Sequence, residues 1–217
     1  MSSLTGARER ILAAVQKSAV RRPDTPSIRH KSAPREPRPE RIETAIEQFM
    51  LYAREESATT QRIAAVSGVP AAVLHYLLSE NLTPRAIVAD NARLPGIDWT
   101  SVEGFECTDG PMSADGDTVI TGCYAGVAEA GAVVTLSAGE HPSEYNFLAA
   151  THIVLVPATV VVESFEQLWA RLRIDYPGSW PRMMNFIVGP SRTADLGVPS
   201  KLGAHGPSRV HIVVTGH

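Results

Sequence analysis

From residue 42 onward, apolar positions at helical spacing alternate with short β-branched runs, and few folds accommodate that order. Ile42, Ile46, Phe49, Met50 and Ala53 share one face of a helix. Residues 67–78 predict a second helix, with Pro70 in the first turn, where its missing amide costs little. RAIVAD (85–90) reads as a short buried strand, followed by polar, glycine-containing loops over 91–117. An Ala/Gly-rich segment over 119–137 precedes a strand over 152–156, a helix over 164–174, and strands over 185–189 and 209–214. Ser164 and Gln167 have the spacing of a capping box. The alternation predicts an α/β fold: a mostly parallel sheet flanked by helices.

Residues 1–41 are of another kind and define a separate N-terminal arm ahead of a domain over 42–217. Leu4, Ile11, Leu12 and Val15 give a short amphipathic helix. Five prolines between Pro23 and Pro39, interleaved with Arg21, Arg22, Arg29, Lys31, Arg35, Arg38 and Arg41, then read as an extended connector. The arm either docks on an acidic partner or tethers the first helix through solvent.

Charge and composition exclude several classes. A net charge of −3 argues against a general nucleic-acid binder. No run approaches the length of a membrane span, and the first twenty residues lack a continuous apolar core, so a cytoplasmic protein is expected. Cys107 and Cys123 form neither a Cys-x-x-Cys pair nor part of a four-cysteine set, so the chain is expected to bind no iron–sulfur cluster or structural zinc itself. His205, His211 and His217 recur every six residues, but six residues of strand span roughly 20 Å, too far for one metal ion.

The chemistry concentrates near the carboxyl terminus. NFIVG (185–189) reads as a buried strand, and GPSRTADLG (189–197) follows it at once. Open α/β sheets bind ligands in loops beyond the carboxyl ends of their strands. Gly189 lets backbone approach a guest closely, and Ser191 or Thr193 would cap a short helix whose free amides cradle an anion. Arg192 offers a planar bidentate donor for carboxylate or phosphate, and Asp195 would orient it. The same inventory also satisfies itself if Arg192 pairs with Asp195. LGAHGP (202–207) adds His205 and Gly206: an imidazole between small residues, able to position a ligand or move a proton near neutral pH.

GPSRTAD followed by Gly-x-His-Gly-Pro resembles the signature of the LUD-domain family, in particular its lactate-utilisation protein C branch. AGVAEAGAVVTLS (125–137) is similar to that family's Ala-Asp/Glu-Thr-Gly-Thr segment, and THIVLVP (151–157) to its His-Ile strand, in which His152 is expected half-buried and satisfied. The likeness covers roughly residues 40–217. It implies a three-layer α/β/α fold like that of the NagB/RpiA/CoA transferase-like superfamily. It also implies a non-redox subunit of a system oxidising L-lactate to pyruvate, with iron–sulfur clusters on partner subunits and a small carboxylate or phosphate as ligand. The chain departs from the family where Ala130 and Ala132 replace threonines, while Glu129 keeps the acidic position. Fold analogy makes Glu129 a candidate nucleophile, or a carboxylate that positions a loop. The contrasting reading is a stand-alone enzyme acting on an anionic small molecule, in the manner of coenzyme A transferases or sugar-phosphate isomerases. Self-association is compatible with either.

Overall fold

A computed structural model describes residues 13, 42–92, 94–108, 117–137, 143–193, 201–203 and 205–216, and the fold lies within the compact unit Arg38–His217. The expected N-terminal helix and Pro/Arg-rich arm otherwise fall outside the described residues.

Six strands form one wholly parallel sheet: β1 (Thr59–Ile63), β2 (Arg85–Val88), β3 (Glu106–Thr108), β4 (Thr118–Thr121), β7 (Thr151–Pro157) and β12 (Arg209–Thr215). Their order is β1-β12-β7-β4-β2-β3, so β7 and β12 lie inside the sheet. Both read as nearly continuous buried runs because each face of a parallel sheet is covered. One face carries Ala86, Val88, Ile120, Ile153, Leu155 and Val213 against helix α2 (Val69–Ser79), through Val69, Val73, Tyr76 and Leu77. The other carries Val154, Val156, Val210, Ile212 and Val214 against helix α1 (Ile42–Glu55), through Ala45, Ile46, Phe49 and Ala53. Each fully buried Ile or Phe there contributes about 1.5–3 kcal/mol. Helices on both faces of a parallel sheet are the α/β/α layering expected from the sequence.

A second sheet was not legible in the sequence. β5 (Ala125–Val127), β6 (Ala132–Leu136), β8 (Val161–Val162) and β9 (Met184–Ile187) run in the order β8-β5-β6-β9, with β6 antiparallel to β5 and β9. Ala125, Val127, Ala132, Val134 and Leu136 pack on Leu168 and Leu172 of helix α4 (Phe165–Asp175), while Val133 joins the core around α1. The Ala/Gly-rich segment therefore opens in β4 of the parallel sheet and continues as the β5–β6 hairpin, its small residues allowing close packing between layers. NFIVG requires correction: β9 is an edge strand of this second sheet, with Phe186 39% and Val188 42% exposed, and is not a buried strand of the parallel sheet.

Ser164 caps α4 as expected, accepting from the Gln167 amide at 3.5 Å. Gln167 Oε1 instead accepts from the Glu163 amide at 2.8 Å, one residue earlier than a capping box prescribes. A short helix, α3 (Tyr145–Leu148), precedes β7. No helix among the described residues is long and apolar enough to cross a membrane.

His211 on β12 is only 4% exposed and faces α2, where its ring stacks on Tyr76 with centroids 3.8 Å apart. Its Nδ1 shares a 2.8 Å hydrogen bond with Thr59 Oγ1, while Nε2 has no partner among the described residues. Burial holds its pKa down at about 4, against 6.5 for a free imidazole. Between those values the unfolded chain binds a proton at His211 and the folded chain does not, so protons favour unfolding there. Stability contributed by the neutral ring is complete above about pH 6.5 and is lost as pH falls towards about 4, by about 3 kcal/mol in all. Urea unfolding of His211→Phe is expected to show a shallower loss across that window than the wild type; equal slopes would exclude His211 as the cause.

Candidate functional site

The two polar motifs meet in one antiparallel ribbon. β10 (Arg192–Thr193) pairs with β11 (Lys201–Leu202), setting Arg192 opposite Leu202 and Thr193 opposite Lys201. At its base the Gly203 amide donates to the Ser191 carbonyl at 2.9 Å, and the Ser191 amide donates to the Pro207 carbonyl at 2.8 Å. Gly206 lies against Ser191 and the Phe147 carbonyl: a Cβ on it would stand 3.2 Å from Ser191 Cβ and 3.7 Å from that oxygen. The expected helix cap after Ser191 is corrected, because the chain continues as strand. The amides of Ser191 and Gly203 are spent inside the ribbon rather than presented to an anion. Thr193 takes its place through its backbone, His205 is exposed, and Asp195 lies outside the described residues.

The ribbon sits at the amino edge of the parallel sheet. Ser191 bonds to Pro207, just ahead of β12; Gly206 touches Phe147, just ahead of β7; Gly189 touches Glu56, just ahead of β1. Since all six strands run the same way, these three approaches share one edge. The expectation of a site at the carboxyl ends of that sheet fails because β9, which leads into the loop, belongs to the other sheet.

Arg192 is held by its own chain. Its Nη2 donates to Ser57 Oγ and, at 3.5 Å, to the Glu56 carbonyl at the end of α1. A cation at a helix carboxyl terminus complements both the free carbonyls and the dipole. Gly189 (φ 73°) brings backbone against the same carbonyl, where any Cβ would overlap it. Glu56, Ser57 and Phe147 were missing from the sequence reading. The only available signal was a polar residue directly after an amphipathic helix, which is too common to single out.

Glu129 is engaged elsewhere. It lies in a 3-10 turn (Ala128–Ala130), and its Oε1 accepts from the Phe165 amide at 2.7 Å, at the first residue of α4. An anion there satisfies a free helix amide and complements the dipole. His152, expected half-buried, is fully buried, with Nε2 and Thr121 Oγ1 2.8 Å apart. Neither Cys107 nor Cys123 is in a disulfide, and burial pushes the Cys123 thiol up to about 12.

Residues 112–215 match the family model described as LUD domain. Lactate utilization protein C of Geobacillus kaustophilus is 39% identical over 92 residues, which make up 41% of this chain and 38% of that protein. The protein of the same name from Halalkalibacterium halodurans is 30% identical over 118 residues, 54% of this chain and 50% of its own. The one from Exiguobacterium sp. is 30% identical over 148 residues, 64% of each chain. The chain thus spans about two fifths of the length of the first of these relatives. The crystal structure of a DUF162 family protein from Deinococcus radiodurans superposes with a TM-score of 0.59 at 18% identity, covering 82% of this chain and 100% of that one, a likeness of fold.

If Glu129 serves α4 as a cap, Glu129→Ala lowers unfolding stability by about 1 kcal/mol. Glu129→Gln, which keeps an oxygen for the Phe165 amide, restores most of that loss in a thermal melt. Equal melting of wild type and Glu129→Ala would remove the capping role.

Proposed function

We propose that the chain is a member of the LUD-domain family, whose model matches residues 112–215, and that it works in L-lactate utilisation as a component without a redox centre of its own. On this reading the ribbon face docks an iron–sulfur partner that takes the electrons released as lactate becomes pyruvate. The observation that carries it is the joining of both family-like motifs in one antiparallel ribbon, in a chain whose similar proteins are named for lactate utilisation.

Several features favour docking over a closed carboxylate pocket. The ribbon's amides at Ser191 and Gly203 are already donating, and Arg192 Nη2 is already spent on Ser57 and Glu56. Beside the ribbon, Phe147 and Leu148 of α3 are 48% and 61% exposed. Exposed apolar side chains together with an exposed arginine are the mixture that protein interfaces use. Two cysteines sixteen positions apart cannot hold a four-cysteine cluster, consistent with electrons passing through other subunits. The stand-alone enzyme gains no support from Glu129, whose carboxylate is occupied at α4.

In a strain lacking this chain, the wild-type gene is expected to restore growth on L-lactate and Arg192→Ala to fail. The variant should melt within about 2 °C of wild type, since the substitution is on an exposed side chain. Tagged wild-type protein from lactate-grown cells should retain protein-bound iron that Arg192→Ala does not. Normal growth and normal iron retention by that variant would overturn the docking reading.

A further inference from the structure

We propose that Ser57 is a positioning residue, whose hydroxyl fixes the Arg192 guanidinium on the ribbon face. The functional consequence rests on the docking reading above, while the positioning itself rests on the geometry of one turn.

Helix α1 ends at Glu55, and the chain closes it with two nested hydrogen bonds: the Ser57 amide to the Arg54 carbonyl at 2.9 Å, and the Ala58 amide to the Ala53 carbonyl at 3.0 Å. This pattern puts the residue after the helix in the left-handed region, where glycine is the default. Ser57 occupies that place with φ 70°. Among the described residues the only other non-glycine at positive φ is Asn81, a residue type that tolerates the conformation. Serine does not share that tolerance, and Ser57 is exposed, so core packing does not account for its side chain. What the side chain does is accept from Arg192 Nη2. An unfavourable backbone conformation retained without a packing reason points to a task for the group it carries.

The task is specific. Nη2 of Arg192 contacts both Ser57 Oγ and the Glu56 carbonyl, while Gly189 seats the entry to the ribbon on that same carbonyl. The turn thus grips the ribbon once by backbone and once by side chain. Among the described residues, Arg192 without that hydroxyl keeps only the 3.5 Å contact to Glu56, and its long side chain is less constrained. Glycine at position 57 would relieve the backbone and lose the grip; asparagine would keep both a tolerated left-handed conformation and an acceptor oxygen.

Three readouts on the full-length chain separate these roles: melting temperature, trypsin cleavage after Arg192 mapped by fragment mass, and growth on L-lactate in the complemented deletion strain. Ser57→Gly is expected to melt at or above wild type yet be cut after Arg192 about fivefold faster, the effect of losing one exposed charged hydrogen bond. It should also grow as poorly as Arg192→Ala. Ser57→Asn is expected to return cleavage and growth to wild-type rates. Unchanged cleavage in Ser57→Gly overturns the positioning role, as does wild-type growth of Ser57→Gly where Arg192→Ala fails. Faster cleavage of Ser57→Gly, with normal growth of both that variant and Arg192→Ala, leaves positioning intact and removes docking instead.

Discussion

Helix α1 can lie where it does only because the backbone elsewhere comes against it without side chains in the way. At Gly131 (φ 59°) a Cβ would overlap the Ala53 amide, and at Gly189 (φ 73°) it would overlap the Glu56 carbonyl. The helix is therefore pinned at its second half by the 3-10 turn before β6 and at its end by the entry to the ribbon. Any larger residue at either point would lift α1 from the sheet and open the layer formed by Ile46, Phe49 and Ala53 with Val154, Val156, Val210 and Ile212. The orientation of the ribbon is inherited from this helix: its base rests on the α1 terminus, and its arginine bonds to the turn that follows.

The layers are also tied by a few buried polar groups, which set register as well as stability. Thr121 and His152 pair across neighbouring strands of the parallel sheet. Thr135 Oγ1 accepts from Asn146 Nδ2 at 3.0 Å and from Asn185 Nδ2 at 3.4 Å, joining β6, α3 and β9. Such groups are costly when unpaired, so alternative pairings of the second sheet, which would separate Thr135 from its two amides, are disfavoured. On the opposite face Thr59 and Tyr76 enclose His211 in the same manner.

These interactions divide what was legible in the sequence from what was not. β7 and β12 announced themselves as long apolar runs, α1 as an amphipathic face, and α4 through Ser164 and Gln167, because each signal is local. The second sheet was hidden: β5 and β8 are three and two residues long, and alanine and glycine carry no periodicity for a sheet face. β3, only Glu-Cys-Thr, was lost in a polar loop because three residues with one apolar side chain show no alternation. NFIVG misled because apolar residues on an exposed edge strand resemble a buried one in composition; only the pairing with β6 decides. For the site, the sequence brought GPSRT and LGAHGP to attention as chemistry but could not show that they pair with each other, or that Arg192 reaches 135 positions back to Ser57.

That long reach explains why the amino edge of the sheet is an unusual place for a metabolite and a suitable one for a protein. Carboxyl edges of parallel sheets gather helix amino termini, whose free amides attract anions. The amino edge here meets the opposite end of α1, where carbonyls point outward and attract a cation instead. Arg192 answers that demand, so a small carboxylate arriving at the guanidinium also meets the Glu56 carbonyl and gains less than it would from an isolated charge. A folded partner can place donors against the carbonyl and acceptors against the arginine while covering Phe147 and Leu148. On the docking we propose, affinity comes from matching a fixed pattern of both signs, and the value of the pattern lies in its being held still.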